Sequence, residues 1–112
     1  SSAASDVYKR QVNTETIPGF VIQDQLGVVS GSTVRAKNVV RDISQMLKNI
    51  VGGELHQYTN LLIESRNEAF SRMLEDAKAR GANGVVNLRF ATSAVSPGAA
   101  ELFCYGTAVI VE

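Results

Sequence analysis

Residues 101–112, at the end of the chain, have a β-strand pattern that is apolar on both faces. One face of the alternation carries Leu102, Cys104, Ala108 and Ile110. The other face carries Phe103, Tyr105, Val109 and Val111. Such a strand must be covered on both sides, since each large apolar side chain left in water forgoes about 1.5–3 kcal/mol. We therefore predict that a second copy of the chain covers one face. The alternative is that the shorter of two predicted helices covers it.

The segments before this strand predict three strands and two helices. Residues 12–16 favour a short strand, and Phe20, Ile22 and Leu26 alternate with polar residues as in a half-buried strand that continues to Val34. Apolar residues then recur every three or four positions over residues 38–51, which predicts an amphipathic helix ended by Gly52 and Gly53.

A longer helix is predicted over residues 54–80, with Gly81 as its C-cap. Its expected inward stripe is Tyr58, Leu61, Leu62, Ser65, Ala69, Met73 and Ala77. Residues 84–90 alternate again, and the loop signature at 96–98 predicts a hairpin into the last strand. This order indicates an α+β fold of two layers, a small antiparallel sheet packed against a long helix.

Length and charge limit the class of protein. The chain has 112 residues, which fits one domain, and we assign it to residues 12–112, with residues 1–11 as a disordered tag or tail. Lys plus Arg and Asp plus Glu are both 11, so there is no basic excess to indicate a nucleic-acid partner. No apolar run is long enough to span a membrane. The single cysteine fits a cytoplasmic protein.

The stretch LGVVSGSTV, residues 26–34, raises the question of a phosphate-binding loop. Its two glycines fit neither the Walker spacing, which also needs a lysine after the second glycine, nor the dinucleotide pattern. No predicted helix begins directly after Gly31, so no helix N-terminus would face a phosphate. We interpret the stretch as a bent or bulged strand.

Residues that could carry chemistry are few. The chain has only one histidine and one cysteine, so it contains no motif with the spacing of paired metal ligands. His56 is the one candidate metal ligand, and in the alternative interpretation it is an exposed residue at a helix start. Cys104 is interpreted as a small buried hydrophobic residue. Arg41 and Asp42 could bind an anion or form surface ion pairs. We find no catalytic motif and predict no enzyme, cofactor or catalytic residue.

Several short motifs occur in an order that resembles the YbjQ-like family of small bacterial proteins. They are Leu26–Gly31, Asn38–Asp42, Val51–Gly53 with Tyr58, Gly81–Val86 and Gly106–Val109. The resemblance covers about residues 12–112. The biochemical role of this family is unsettled, and it carries the label of a heavy-metal-binding domain. Relatives have acidic residues in the strand after the GANGVV turn, whereas this chain has Asn87, Arg89 and Ala91, which are not metal ligands of that kind.

The resemblance implies a dodecin-like arrangement of helix and sheet that assembles into a ring, a pentamer in relatives of known structure. It also implies that the glycine-containing stretch lies at an assembly surface. We therefore expect a homo-oligomer, with a small ligand or partner bound at the subunit interfaces. Two alternatives stay open: a heavy-metal-binding protein with ligands assembled across subunits, near His56 or near Arg41 and Asp42, and an enzyme of unknown type with an interface site.

Overall fold

A computed structural model describes the backbone of residues 6–35, 55–96 and 99–112. Side chains are described for residues 6–34, 63–93 and 101–112. The helix predicted over residues 38–51 lies outside these ranges. The elements are β1 (Ile22–Arg35), α1 (Leu55–Ala79), β2 (Gly84–Ser96) and β3 (Ala99–Val111).

The three strands form an antiparallel sheet in the order β1-β3-β2, with the last strand in the centre. The helix packs across β1 and β3 on one face of this sheet. We call this the helix face and the opposite side the outer face. The prediction of a small antiparallel sheet packed against one long helix is confirmed.

The inward stripe of α1 is confirmed over its described part. Ser65, Ala69, Met73 and Ala77 are buried, at the spacing of one helix face. The helix ends where Gly81 adopts φ = +81°, and the amide of Ala82 donates to the carbonyl of Ala77. This left-handed cap is favourable for glycine, which has no Cβ to clash. The predicted positions Tyr58, Leu61 and Leu62 lie outside the described side chains.

Gly31 is the point of closest approach between the helix and β1. A Cβ built on this residue would lie 2.6 Å from Arg72 Cβ and closer still to the backbone atoms Met73 N and Ala69 O. Real Cβ atoms do not come so near to backbone. Gly31 is therefore required by helix packing, and the expectation that the glycine-containing stretch lies at an assembly surface stays a prediction.

Two irregularities in β1 change the alternation predicted for residues 20–26. The pairing with β3 shifts between Ile22 and Asp24 and again between Gln25 and Gly27, where Gly27 has φ = +98°. As a result Ile22 packs into the cluster on the outer face, while Leu26 packs on the helix side. The single face predicted for Phe20, Ile22 and Leu26 is wrong, because each bulge shifts the pleat by one residue.

The N-terminal segment, residues 11–20, covers one end of the outer face. Ile17 is buried against Val86, Val109 and Val111, and Val12 packs beside them. The short strand predicted at residues 12–16 is not formed, and the segment instead makes an isolated parallel bridge from Gln11 to Val85. The apolar second face of β3 is confirmed, but at Val109 and Val111 the same chain supplies the cover that we assigned to a second copy.

Residues 6–11 also lie on the folded domain, although their composition does not indicate it. Val7 is fully buried in the cluster beneath α1, and the carbonyl of Arg10 accepts a hydrogen bond from the amide of Val85 at 2.8 Å. Excluding this stretch from the fold was therefore wrong for its described part. Small and polar composition indicates low burial on average, but a single apolar residue is enough to anchor a short segment.

Asn83 joins the end of α1 to the last strand. Its side-chain amide donates to the carbonyl of Val111 at 2.8 Å, and its side-chain oxygen accepts from the amide of the same residue at 2.7 Å. Its own amide donates to the carbonyl of Val109. The side chain thus pairs with β3 as a strand backbone would, and it satisfies two peptide groups that would otherwise be unpaired.

Candidate functional site

No residue that the structure describes covers the outer face of the sheet beyond Val109. We call this region the open patch and define it by Val28, Val34, Phe103 and Tyr105. The two valines are 65% and 55% exposed and Tyr105 is 37% exposed. The rings of Phe103 and Tyr105 lie side by side, with centroids 5.6 Å apart. Exposed β-branched and aromatic side chains grouped on one sheet face are typical of a protein contact surface.

The glycine-containing stretch does not form a phosphate loop. Residues 26–34 belong to β1, and from Gly27 onward they pair in register with β3. Their amides are used in the sheet or point to its edge, so they do not converge on an anion. The interpretation as a bulged strand is confirmed, and the two glycines have separate reasons: a positive φ at Gly27 and the close helix at Gly31.

Cys104 lies in the centre of β3 on the helix face. It is fully buried in the same cluster as Val29, Ala69 and Met73. Burial raises the pKa of its thiol to about 11. At neutral pH the sulfur is therefore protonated, which makes it a poor nucleophile and a poor metal ligand. Its interpretation as a small buried hydrophobic residue agrees with this environment.

His56 lies in the first turn of α1, and its side chain is outside the described set. Within the described residues, no three His, Cys, Asp or Glu side chains are grouped so as to hold a metal ion. Arg41 and Asp42 also lie outside the described residues. The metal hypothesis based on His56 therefore stays a prediction.

An open cleft of about 520 Å³ lies between the N-terminal segment, the helix and β2. It is lined by residues 11–14, Pro18, Phe70 and Leu88. The walls are mainly apolar, and the polar groups nearby are already used: Asn13 O accepts from the Arg89 guanidinium at 2.7 Å. The cleft therefore offers shape and apolar contact but few free hydrogen-bonding groups to select a small polar ligand.

Three features of this surface were not predicted from the sequence. They are the covering role of Ile17, the bulge in β2 and the strand-like pairing by Asn83. The bulge lies between Val86 and Arg89, and Asn87 there has φ = +54°. Asparagine is enriched in this conformation, so the polar residue within an apolar strand was the available signal. Ile17 directly before Pro18 and Gly19 was a comparable signal for an anchored turn.

Comparison with known proteins identifies close relatives. A family model described as "Putative heavy-metal-binding", the YbjQ-like model, matches residues 10–112. A UPF0145 protein of Hahella chejuensis is 61% identical over 100 residues, covering 89% of this chain and 96% of that protein. A UPF0145 protein of the archaeon Methanoculleus marisnigri is 57% identical over 96 residues, covering 86% and 90%. The relatives thus extend beyond the bacteria named in the resemblance.

A solved structure has a similar fold. It is a protein of unknown function of the DUF74 family from Pediococcus pentosaceus, with a TM-score of 0.57 and 16% sequence identity. The match covers 91% of this chain and 96% of that one. It supports the α+β architecture. Among the described residues, no helix is both long and apolar enough to cross a bilayer.

Proposed function

The chain belongs to the YbjQ-like family, and on that basis we propose that it is a non-enzymatic cytoplasmic domain that assembles with copies of itself. The contact is made through the open patch. The assembly is a closed ring, and the resemblance implies that it is a pentamer. A small ligand or partner binds where subunits meet. The single observation that carries this proposal is the exposure of the open patch.

The open patch supports self-association because the described residues cover only one end of the outer face. At Val109 and Val111 the N-terminal segment shields the outer face, so that cluster is complete within one chain. At Val28, Val34 and Tyr105 the same face continues without cover from the described residues. Burying each of these side chains would contribute about 1.5–3 kcal/mol. A homo-oligomer of closed symmetry is the commonest way in which such a face is covered.

Paired lysine substitutions test this contact. In the double variant Val28→Lys, Val34→Lys both changes are made at exposed positions, so we expect the free energy of unfolding of one subunit to change little. The mass of the assembly should fall, because lysine ammonium groups are not accommodated in an apolar interface. Native mass spectrometry and light scattering at high micromolar concentration measure this mass.

The matched control is Val21→Lys, since Val21 is 64% exposed and lies outside the open patch. This control should keep the mass of the wild type. A wild-type protein that runs as a monomer at high micromolar concentration would contradict the proposal. An unchanged mass in the double variant would contradict the role of the open patch.

A heavy-metal-binding protein is the second candidate, favoured by the description of the family model that spans the chain. One chain supplies no metal cluster in its described part. The ligands would therefore come from several subunits, with His56 repeated around the ring. Imidazole nitrogen suits zinc, copper and nickel, which is the chemistry that such a shared site would use.

Elemental analysis and zinc titration of the wild type and of His56→Ala test this candidate. We expect the wild-type assembly to bind zinc in the micromolar range or tighter and the variant to lose at least about tenfold in affinity. Light scattering on the same samples checks that the variant still assembles. Equal and negligible binding by both proteins would remove His56 from the metal hypothesis.

A further inference from the structure

The two edges of the sheet are unequally protected. Along the edge of β1, three side chains of α1 bond to outward backbone groups. Arg80 donates to the carbonyl of Leu26 at 3.1 Å, and Asp76 accepts from the amide of Ser30 at 3.3 Å. The guanidinium of Arg72 donates to the carbonyl of Ser32. Because these side chains are spaced four residues apart on one helix face, they lie along the strand and block the approach of another strand.

The first half of the β2 edge is also occupied. The backbone of Val85 bonds to Arg10 and Val12, at 2.8 and 3.0 Å. The amide of Leu88 donates to the carbonyl of Val12 at 3.0 Å, and the amide of Asn87 donates to Thr14. Beyond Leu88 the N-terminal segment turns away, and the pairing ends. Each of these bonds would have to break before a partner strand could join β2 at this end.

The edge along the second half of β2 is not paired by any residue that the structure describes, and we call it the open edge. The amide of Ser30 points away from β3, so the opposite residue, Tyr105, directs its backbone groups towards β2 and pairs with Arg89. The register continues without a break to Ala94, so Phe90, Thr92 and Ala94 direct their amides and carbonyls outward. No described residue hydrogen-bonds to these outward groups. Phe90 is 41% exposed beside them and contacts Phe70 of α1.

We propose that two copies of this chain join their sheets at this open edge, with β2 antiparallel to β2 of the partner subunit about a two-fold axis. The partner that we propose is a second copy of the chain. Its own β2 has the same open edge and the same length, and two such strands are complementary when they run antiparallel. With the axis at Thr92, Phe90 lies opposite Ala94 of the partner subunit. About six backbone hydrogen bonds then form.

This contact deepens the proposed function. It rests on one part of that proposal, namely that the chain assembles with copies of itself. It is separate from the open patch, since it uses the edge of β2 and not the outer face. If both contacts form, the edge pairs two rings and the assembly has an even number of subunits. If only the edge contact forms, the protein is a dimer.

Proline at Thr92 tests the pairing, because it removes the outward amide while the inward hydrogen bonds to β3 remain. We expect Thr92→Pro to halve the mass of the assembly and to raise its dissociation constant about tenfold or more. Thr92→Val is the matched control. It changes the side chain but keeps the amide, so the mass should equal that of the wild type. Native mass spectrometry over a dilution series measures both.

Hydrogen exchange provides a readout that needs no variant. The amides of Phe90, Thr92 and Ala94 should exchange slowly at high protein concentration and rapidly after dilution. The amide of Val21, which donates to the carbonyl of Glu112 and lies outside both proposed contacts, should exchange at a rate that does not depend on concentration. Exchange at Thr92 that is independent of concentration would overturn the proposal, as would an unchanged mass in Thr92→Pro or a halved mass in Thr92→Val.

The two proposals fail in different ways. Loss of mass in the Val28→Lys, Val34→Lys variant with unchanged mass in Thr92→Pro overturns the edge contact and keeps the open patch. The reverse result overturns the open patch and keeps the edge contact. An edge that captures an extended segment of another protein gives concentration-independent exchange in the purified chain, and this also overturns the pairing of two copies.

Discussion

Gly31→Val should lower the free energy of unfolding by about 3 kcal/mol or more, a large part of the 5–15 kcal/mol typical of a domain. The obstacle is the backbone of α1 at Ala69 and Met73, which cannot rotate away as a long side chain can. To admit the new side chain the helix must move off the sheet, which opens the cluster around Cys104. Urea denaturation followed by circular dichroism measures the change.

Two further variants make this test specific. Gly31→Ala adds only the Cβ, and it should already destabilise the fold, because that atom alone meets the helix backbone. Ser30→Ala, at the exposed neighbouring position, should stay within about 0.5 kcal/mol of the wild type. A Gly31→Ala protein with the unfolding midpoint of the wild type would refute the close approach of helix and strand.

Asn83→Ala should lower the free energy of unfolding by about 2–4 kcal/mol. The substitution leaves both the amide and the carbonyl of Val111 without their partner, and each unpaired peptide group costs about 1–3 kcal/mol. The end of β3 should then exchange its amides faster than the centre of the strand. Denaturation and site-resolved hydrogen exchange measure the two effects, with Asn13→Ala at an exposed position as the control.

The aspartate variant separates the two hydrogen bonds of Asn83. In Asn83→Asp one carboxylate oxygen can still accept from the Val111 amide, but the other faces the Val111 carbonyl and repels it. A carboxyl group so placed is stabilised when protonated, so its pKa lies above the ordinary value of about 3.9. The difference in the free energy of unfolding between the variant and the wild type should therefore shrink as the pH falls through the raised pKa of this carboxyl group. A difference independent of pH would contradict the geometry.

Patterns that repeat along the chain were the ones that the sequence predicted well. The stripe of Ser65, Ala69, Met73 and Ala77 follows from helical spacing, and the cap at Gly81 follows from its place directly after that stripe. Each of these depends on residues a few positions apart, where the side-chain geometry of a helix is nearly fixed. The fold class could be predicted for the same reason.

Features set by distant partners could not be predicted. The outer face was correctly expected to need cover at Val109, but nothing near that residue indicates that Ile17 supplies it. The glycines of residues 26–34 indicated a bulge in β1, but the bulge at Asn87 in β2 is a single-residue event that an alternation rule cannot place. The sequence therefore predicted the candidate site as a surface, the second apolar face of β3. It did not predict how far this surface extends, because residues 11–20 cover one end of it.

The three helix side chains that bond to the edge of β1 have a consequence for the size that any assembly can reach. A sheet that accepts new strands at both margins can extend without limit, as fibrils do. Here Arg72, Asp76 and Arg80 close one margin, so a neighbour can add only at the other. Once that single position is filled, growth by strand addition stops. In an assembly built by pairing at β2, the helix would therefore act as a terminator, since the direction in which three side chains point prevents addition at β1.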